Sequence, residues 1–448
     1  MNIEVKGCSS FVIPCSSVHY SNPYLYTIIM DDNFPVTQIT NDAFAAVRIP
    51  EFKNLMLGRF TFIMSLRMMG TLVGWWIYEL TGDPLAIGLV GLSEFLPAFL
   101  FALYAGHIID KSEKRKLMLK GVSFYFLAAI LLLVFSTSYI SSHFSHHIIA
   151  IGIYAVIFCT GIVRAFTGPT FSAMLASLVP RPILQNATTW NQGTWLSASV
   201  TGHATGGFLI WKLGINGTLI IICSLLLLAF FLLRQLKPKP PMANSGEKKT
   251  WESVKEGLRF VFQTKEILGA FTLDMFAVLF GGAVAMVPVY AKDILKIGPQ
   301  GFGWLNAAID MGAIIIIIIL TIFPMKKAQG KKLMLAVAGF GICIICFALS
   351  EWFILSFAAL LIAGMLDGVS VIVRGTVMQL KTPDHMRGRV SSVGSMFINS
   401  SNELGQFESG VAAKLMGVVP SVVFGGCMTL VVVIITWIKA PNLRKFEY

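Results

Sequence analysis

Long apolar runs, separated by short polar or basic segments, recur along the chain from about residue 54 to its end. Runs of about 18 or more apolar residues are long enough to cross a hydrocarbon core of about 30 Å as an α-helix. The pattern therefore predicts an all-α polytopic membrane protein rather than a large soluble enzyme with a buried core. We predict twelve transmembrane helices at residues 54–80, 84–106, 117–138, 148–176, 186–211, 215–235, 267–291, 299–323, 332–350, 353–376, 389–414 and 419–439.

The composition agrees with that pattern. Of the 448 residues, 55% are hydrophobic and only 13% are charged, whereas about 25% of a typical soluble chain is charged. Five of the seven cysteines lie in apolar segments, and Cys343 and Cys346 form a CxxC inside one of them. These positions favour helix packing over a disulfide framework or a zinc site. We therefore expect neither a metal nor a cofactor.

Lysine and arginine are concentrated in alternate loops, while the loops at 81–83 and 350–352 contain none. Cytoplasmic loops of membrane proteins are enriched in these residues, so we predict that both termini are cytoplasmic. The net charge of +12 then reflects topology, and we expect no nucleic-acid partner. The basic residues are Lys111, Lys114, Arg115, Lys116, Lys237, Lys239, Lys248, Lys249, Lys255, Arg259, Lys265, Lys326, Lys327, Lys331, Lys332, Lys381, Arg387 and Arg389.

The two halves of the chain repeat each other. "KRKLML" at 114–119 resembles "GKKLML" at 330–335, and each begins a predicted helix after a basic loop. Parallel repeats of this kind occur in membrane proteins built from two six-helix halves. We place the halves at residues 51–236 and 267–440.

Three further segments complete the predicted organisation. Residues 1–50 form an N-terminal tail. Either Met30 is the true start and residues 1–29 are an upstream translation artefact, or the tail is disordered and cytoplasmic. Residues 237–266 form a cytoplasmic linker, and residues 441–448 form a cytoplasmic tail. The linker is predicted to contain an amphipathic helix on the membrane surface, with one apolar face made of Trp251, Val254, Leu258, Val261 and Phe262.

The segment "GHIIDKSEKRK" at 106–116 resembles the loop motif between the second and third helices of the major facilitator superfamily. In that motif a glycine and an aspartate precede a basic cluster. The resemblance implies that Gly106 permits close helix approach and that Asp110 faces the positive end of a neighbouring helix. It also implies that Lys114 and Arg115 pair across a loop that switches between conformations. The glycine that usually precedes the basic pair is Glu113 here.

Three longer stretches resemble the branch of that superfamily that contains enterobactin exporters and macrolide-efflux proteins. They are "WWIYELTGDPLAIGLVGLSEFLPAFLFALYAGHIID", "LDMFAVLFGGAVAMVPVYAKDIL" and "TPDHMRGRVSSVGSMFINSSNELGQFESGVAAKL". The resemblance spans about residues 45–445 and implies twelve helices, a central cavity between the halves and export driven by proton exchange. It also implies that the protein lies in a bacterial inner (plasma) membrane. The fifth predicted helix departs from the antiporter pattern, because "GHATGG" has His203 where proline is expected.

Several charged residues lie inside predicted helices, where each costs about 2.5–3.5 kcal/mol on insertion scales. Arg67 and Glu94 lie about 21 Å and about 16 Å from the outer loop by helical rise, so we expect that they can pair. Arg164 is a candidate to bind an anionic substrate or, instead, to hold Glu94. Asp310 and Asp367 are further candidates, and Asp367 is opposite Arg164 at the offset that aligns "LVP" at 178–180 with "KTP" at 381–383.

Two other features have competing interpretations. His203 lies in a glycine-rich helix and is either a proton relay or a residue bonded to a neighbouring backbone. The aromatic segment "WWIY" at 75–78 is predicted to form an interfacial belt rather than a platform for substrate.

The segment "SNELGQFESG" at 401–410 places polar residues within the eleventh predicted helix. At about 100° per residue, Asn399, Asn402, Glu403 and Gln406 share one face, and Glu408 lies opposite. A polar stripe facing lipid is costly, so the stripe should line a cavity or a helix contact. Glu403 is therefore predicted to couple protons or contact substrate, and Glu408 to pack or pair with a basic residue. The alternative is that both glutamates only hydrogen-bond to neighbouring helices.

Taken together, these features predict a monomeric secondary transporter with a small-molecule substrate, protons and the lipid bilayer as partners. The leading hypothesis is a proton-coupled exporter of a small lipophilic or siderophore-like compound that works by alternating access. An importer or uniporter of a nutrient such as a sugar is the alternative. A membrane-embedded enzyme would require a clustered nucleophile, metal set or paired acids at the membrane face. The chain has no His-rich motif or serine elbow.

Overall fold

The computed structural model describes residues 42–238, 250–325, 327–383 and 386–447. Within these ranges the secondary structure is helical, and no β-strand occurs. Residues 1–41 of the predicted tail at 1–50 lie outside the described residues.

The first half is built from five long helices. Their bounds lie close to the predicted apolar runs, except that the fifth and sixth predicted helices are arms of one helix. That helix breaks at Gly214, where φ is 68°, a left-handed conformation that glycine adopts without a steric penalty. The helices are α1 Pro50–Thr81, α2 Pro84–Lys111, α3 Lys114–Phe135, α4 His146–Leu178 and α5 Leu184–Arg234.

The second half follows a short linker helix. Its first long helix, α7, ends at Phe280 and is continued to Ile294 by 3₁₀, α and π turns. The helices are α6 Thr250–Gln263 in the linker, α7 Lys265–Phe280, α8 Gly298–Ile322, α9 Gln329–Leu349, α10 Phe353–Lys381, α11 Arg387–Met416 and α12 Val418–Lys439.

Among the described residues, 10 helices are long and apolar enough to cross a membrane. Helix α5 counts once among them, although its 51 residues span about 77 Å, more than twice the thickness of a hydrocarbon core. Helix α11 is not one of these 10 helices, because its residues are on average too polar. The all-α polytopic membrane fold is thus confirmed, and the exact number of crossings stays a prediction.

The alternating helices give the bundle two ends. We call the end where α1 begins and the linker lies the linker end, and the end where α1 passes to α2 the opposite end. One large apolar cluster joins the two halves and includes Leu72 and Trp75 of α1 with Val289 and Phe302. A second cluster, which includes Leu273 of α7, is confined to the linker, the second half and the C-terminal tail.

The two halves contact each other closely at the opposite end. Gly88 of α2 packs against the backbone of Gly410 of α11, and Gly207 of α5 packs against Gly303 of α8. The absence of side chains at these four positions lets the helix backbones approach. Lys414 Nζ also lies 2.7 Å from Asp83 Oδ2.

The linker helix α6 is attached to the second half. Glu256 forms an ion pair with Arg389 of α11, with 2.6 Å between Oε2 and Nη1. Val261 on the predicted apolar face is fully buried, whereas Phe262 is exposed. The side chains of Trp251 and Val254 lie outside the described residues.

Candidate functional site

The polar helix α11 has an exposed stripe on its linker-end half. Ser391, Ser392, Ser395 and Asn402 are all exposed, and they recur at helical spacing. These side chains are accessible rather than packed against other helices, and a polar face in contact with lipid is costly. The stripe stops at Glu403, which is buried, and beyond it the helix packs against α2 and α7.

Glu403 lies at the end of that stripe and bonds to an arginine of the other half. Arg164 Nη1 on α4 lies 2.7 Å from Glu403 Oε1 on α11 and 2.8 Å from Glu94 Oε1 on α2. Gln406 Nε2 donates to Glu403 Oε2 at 3.4 Å. The Arg164 side chain is 40% exposed although it lies mid-helix, whereas that of Glu403 is 9% exposed. The cluster of Glu94, Arg164 and Glu403, which we call the central triad, therefore borders a water-accessible space between the halves.

The expected pairing of Arg67 with Glu94 is wrong, and Arg164 takes that place. Arg67 instead lies over the ring of Trp195, with 5.0 Å between the guanidinium carbon and the ring centroid. Helical rise gives the depth of a residue but not the direction in which it points. The face of α1 that carries Arg67 packs against Gly202 of α5.

His203 belongs to a second buried polar cluster that also joins the halves. Its Nδ1 lies 2.8 Å from Thr71 Oγ1 on α1, and its Nε2 lies 3.9 Å from Asp310 Oδ2 on α8. Ser199 Oγ donates to the same Asp310 oxygen at 2.5 Å. His203 thus bonds to side chains rather than to a neighbouring backbone, and Asp310 is brought to the α5–α8 contact.

A third set of polar residues lies inside the second half. Asp274 of α7 and Arg374 of α10 form an ion pair whose side chains are only 6% and 7% exposed. Asp367 lies on the same helix as Arg374 and lines a small cavity with Asp274. The sequence analysis found Asp367 but missed Asp274 and Arg374. Both are charged residues inside predicted helices, so the same search would have found them.

The loop motif is described in part. The backbones of Gly106 and Asp110 lie in the last turns of α2, and the side chain of Asp110 lies outside the described residues. Lys114 is buried, and its Nζ has no hydrogen-bond partner among the described residues. Arg115 Nη2 donates to the backbone oxygen of Arg234 at 2.6 Å. The described contacts therefore do not include the expected pairing of Lys114 with Arg115 across the loop.

The remaining positions of the α11 stripe differ in their surroundings. Asn402 is exposed and Gln406 half-buried, while the side chain of Asn399 lies outside the described residues. Glu408 is half-buried, and its Oε2 lies 3.5 Å from Ser409 Oγ. It has no ion pair among the described residues, so the suggested basic partner is not found there.

The predicted aromatic belt at 75–78 is wrong. Trp75, Trp76 and Tyr78 are each less than 8% exposed, because α1 is surrounded by helices of both halves. Trp75 packs on Phe302 of α8 with 5.9 Å between ring centroids, and Tyr78 donates to Asp293.

A polytopic helical bundle with buried charges between two halves defines an integral membrane transporter. The chain belongs to the major facilitator superfamily, because the sequence model described as Major Facilitator Superfamily matches residues 55–406. This membership confirms the resemblance drawn from the loop motif and the longer stretches, and it places the protein among transporters rather than enzymes.

Named relatives and solved structures agree with that assignment. The chain is 25% identical over 411 residues to an enterobactin exporter, EntS, of Escherichia coli O1:K1, covering 89% of this chain and 94% of the relative. The EntS of Shigella boydii serotype 18 matches equally. The nucleoside transporter NupG has a similar fold, with a TM-score of 0.68 at 12% identity over 89% of this chain and 100% of that one. For the POT family transporter PepTSo the TM-score is 0.67 at 13% identity, over 89% and 99% of the chains.

Proposed function

We propose that the protein is a proton-coupled exporter of a small lipophilic or siderophore-like compound that works by alternating access. The similarity to enterobactin exporters along most of both chains supports the export direction and the substrate class. The observation that carries the proposal is the central triad, in which one arginine holds carboxylates from both halves.

The charge of the central triad suits an exchange of one proton for substrate. With both glutamates ionised, two carboxylates and one guanidinium leave one net negative charge, which a single proton neutralises. Protonation of Glu403 removes its charge-assisted bond to Arg164 and loosens the contact between α11 and α4. A ligand that binds only one arrangement then shifts the equilibrium between the two conformations.

The exposed stripe of α11 and the tight contacts at the opposite end support a cavity that opens at the linker end. Basic residues surround that end, so by the positive-inside rule it faces the cytoplasm, and we infer twelve crossings with both termini on that side. Substrate would enter there and reach Arg164 and Asn402. Alternating access would then close the linker end and separate Gly88 from Gly410 and Gly207 from Gly303.

The test uses proteoliposomes that hold the protein with its linker end outward, with enterobactin and a macrolide as separate probes. An acidic lumen should drive accumulation of the transported probe, and an uncoupler should abolish it. Glu403→Gln should retain exchange of labelled for unlabelled probe but lose accumulation driven by the pH gradient. Glu408→Gln serves as the matched control, since it changes a carboxylate of the same helix.

Two results would contradict the proposal. Accumulation by Glu403→Gln in step with proton flow would remove the coupling role of this residue. Accumulation driven only by an acidic exterior would show that proton and probe move in the same direction, as in a symporter, and not in exchange.

A further inference from the structure

An open groove lies on the outer surface of the first half, between α3 and the linker end of α5. Its volume is about 380 Å³. None of its lining residues belongs to the central triad or to the His203 cluster, so the groove lies apart from the candidate site. The lining residues are Lys116, Leu119, Lys120, Ser123, Phe124, Leu127 and Phe230.

The body of the groove is apolar and faces lipid. Phe124 and Leu127 are each more than half exposed, and Leu131 continues the same exposed face of α3 toward the bilayer centre. The hydrocarbon core contains no water that could fill a groove in such a surface. An acyl chain of a lipid is therefore the natural occupant of the apolar part.

The linker end of the groove is basic. Lys116 and Lys120 line it one helical turn apart on α3. On α5, Arg234 follows Phe230 by one turn on the same face, and it is exposed. The ends of the two helices are joined there, since Arg115 Nη2 donates to the backbone oxygen of Arg234 at 2.6 Å.

These positive charges are only partly compensated by the protein. Lys116 Nζ lies 2.8 Å from Glu113 Oε2. The side chains of Lys120 and Arg234, by contrast, form no ion pair or hydrogen bond with any described residue. Two cations without a counter-charge thus stand at the mouth of an apolar groove, which is the arrangement that a molecule with an anionic head and an apolar tail would complement.

We infer that this groove binds one anionic phospholipid, with its phosphate at Lys120 and Arg234 and an acyl chain along Phe124 and Leu127. Basic pockets between membrane helices are suited to phosphate-bearing lipid headgroups, and an ammonium or guanidinium group forms short, charge-assisted bonds to phosphate oxygens. A lipid with a neutral headgroup lacks the net charge, and free phosphate lacks the chain, so neither should bind as tightly.

The second half lacks the equivalent of this groove, although it has the same basic start of a helix. At the offset that aligns "KRKLML" with "GKKLML", Lys116 corresponds to Lys332, but Lys120 corresponds to Ala336, which is buried. Lys331 and Lys332 are both exposed. They therefore provide a matched control, because their removal lowers the basic charge at the start of α9 without touching the groove.

The inference depends on neither the direction of transport nor the substrate, so it is tested without substrate. Native mass spectrometry of the purified, delipidated protein measures the affinity for the first bound phosphatidylglycerol, with phosphatidylcholine as the neutral lipid and inorganic phosphate as a competitor. The charge variants are Lys120→Gln, the double variant Lys116→Gln with Lys120→Gln, and the control Lys331→Gln with Lys332→Gln. Ser123→Trp fills the groove without changing its charge, and Leu127→Trp takes its place if that protein does not fold.

Wild type and the control should bind phosphatidylglycerol more tightly than phosphatidylcholine, and excess phosphate should not displace it. Lys120→Gln should weaken binding by about fivefold, because each basic residue at a membrane surface contributes about that factor. The double variant should lose at least as much, and Ser123→Trp should weaken binding although both lysines remain. Binding by the double variant equal to that of the control, or by Ser123→Trp equal to that of wild type, would overturn the inference. Equal affinity for phosphatidylcholine, or displacement of the lipid by phosphate, would overturn it as well.

Discussion

The two halves of the bundle share a fold but differ in the charges at one repeated helix contact. Between α2 and α4, Glu94 pairs with Arg164, which also holds Glu403 of the other half. Between α8 and α10, Asp310 is equivalent to Glu94 at the offset that aligns "KRKLML" with "GKKLML", and Asp367 is opposite Arg164. No base among the described residues pairs with both of these aspartates. A backbone repeat thus fixes where two side chains meet, while their chemistry decides whether the contact can hold the two halves together.

The two regions also differ in access to water. Arg164 is 40% exposed and faces the water-accessible space, whereas the pair of Asp274 and Arg374 is sealed, with both side chains less than 8% exposed. Charges screened by water interact more weakly than charges in the dry interior. We therefore expect charge removal to destabilise the second half more and to impair transport more directly in the first.

The largest loss of stability should follow Arg374→Met. The change leaves Asp274 buried without its partner, which costs about 3–5 kcal/mol in free energy of unfolding. Denaturant titration of the purified protein in detergent measures this loss. The double variant Asp274→Asn with Arg374→Met should recover most of it, because no unpaired charge remains. A single variant as stable as wild type would show that this pair is not sealed.

A smaller loss of stability, with complete loss of transport, should follow Arg164→Met. Glu94 and Glu403 then face each other without a base, but water in the adjacent space screens them, so we expect about 1–3 kcal/mol. Arg164→Lys keeps the charge without the planar guanidinium and should be intermediate in both assays. Normal transport by Arg164→Met would show that charge removal in the first half does not impair transport, which contradicts the expected difference between the two halves.

The His203 cluster should contribute less to the free energy of unfolding than the ion pairs of Arg374 and Arg164. Thr71→Val preserves the shape of a buried side chain but removes the bond to His203 Nδ1, so we expect a loss of about 1 kcal/mol. The same denaturant titration measures it, with Thr61→Val, on the same helix, as the control. A loss equal to that of Arg374→Met would mean that the α1–α5–α8 contact, rather than the second half, is the sealed region.

The smallest effect is expected at the surface contact of the opposite end. Lys414 and Asp83 pair at 2.7 Å, but their side chains are 53% and 35% exposed. Exposed pairs contribute about 0.2–1 kcal/mol, so Lys414→Gln should change stability by less than about 1 kcal/mol, and high salt should reduce the difference further. A loss of stability that persists in high salt would show that this ion pair behaves as a buried pair does.

Much of this architecture follows from the pattern of apolar residues, because each membrane helix must be apolar over a fixed length. The bounds of α10 and α11, for example, lie within a few residues of the predicted segments. The polar stripe of α11 was also predictable, since its spacing along one helix is local. The bond of Arg164 to Glu403 was not, because the two residues are 239 positions apart and only helix packing brings them together. Trp75 and Trp76 were misplaced for the same reason, since a buried helix and a membrane interface both favour aromatic residues.

The central claim is that Glu403 carries the proton exchanged for substrate. The direct measurement is proton release into a weakly buffered detergent solution when the transported probe is added to purified protein. Wild type, Glu408→Gln and Asp367→Asn should release protons, whereas Glu403→Gln should bind the probe and release none. Release by Glu403→Gln equal to that of wild type, or its loss in Asp367→Asn instead, would contradict the account.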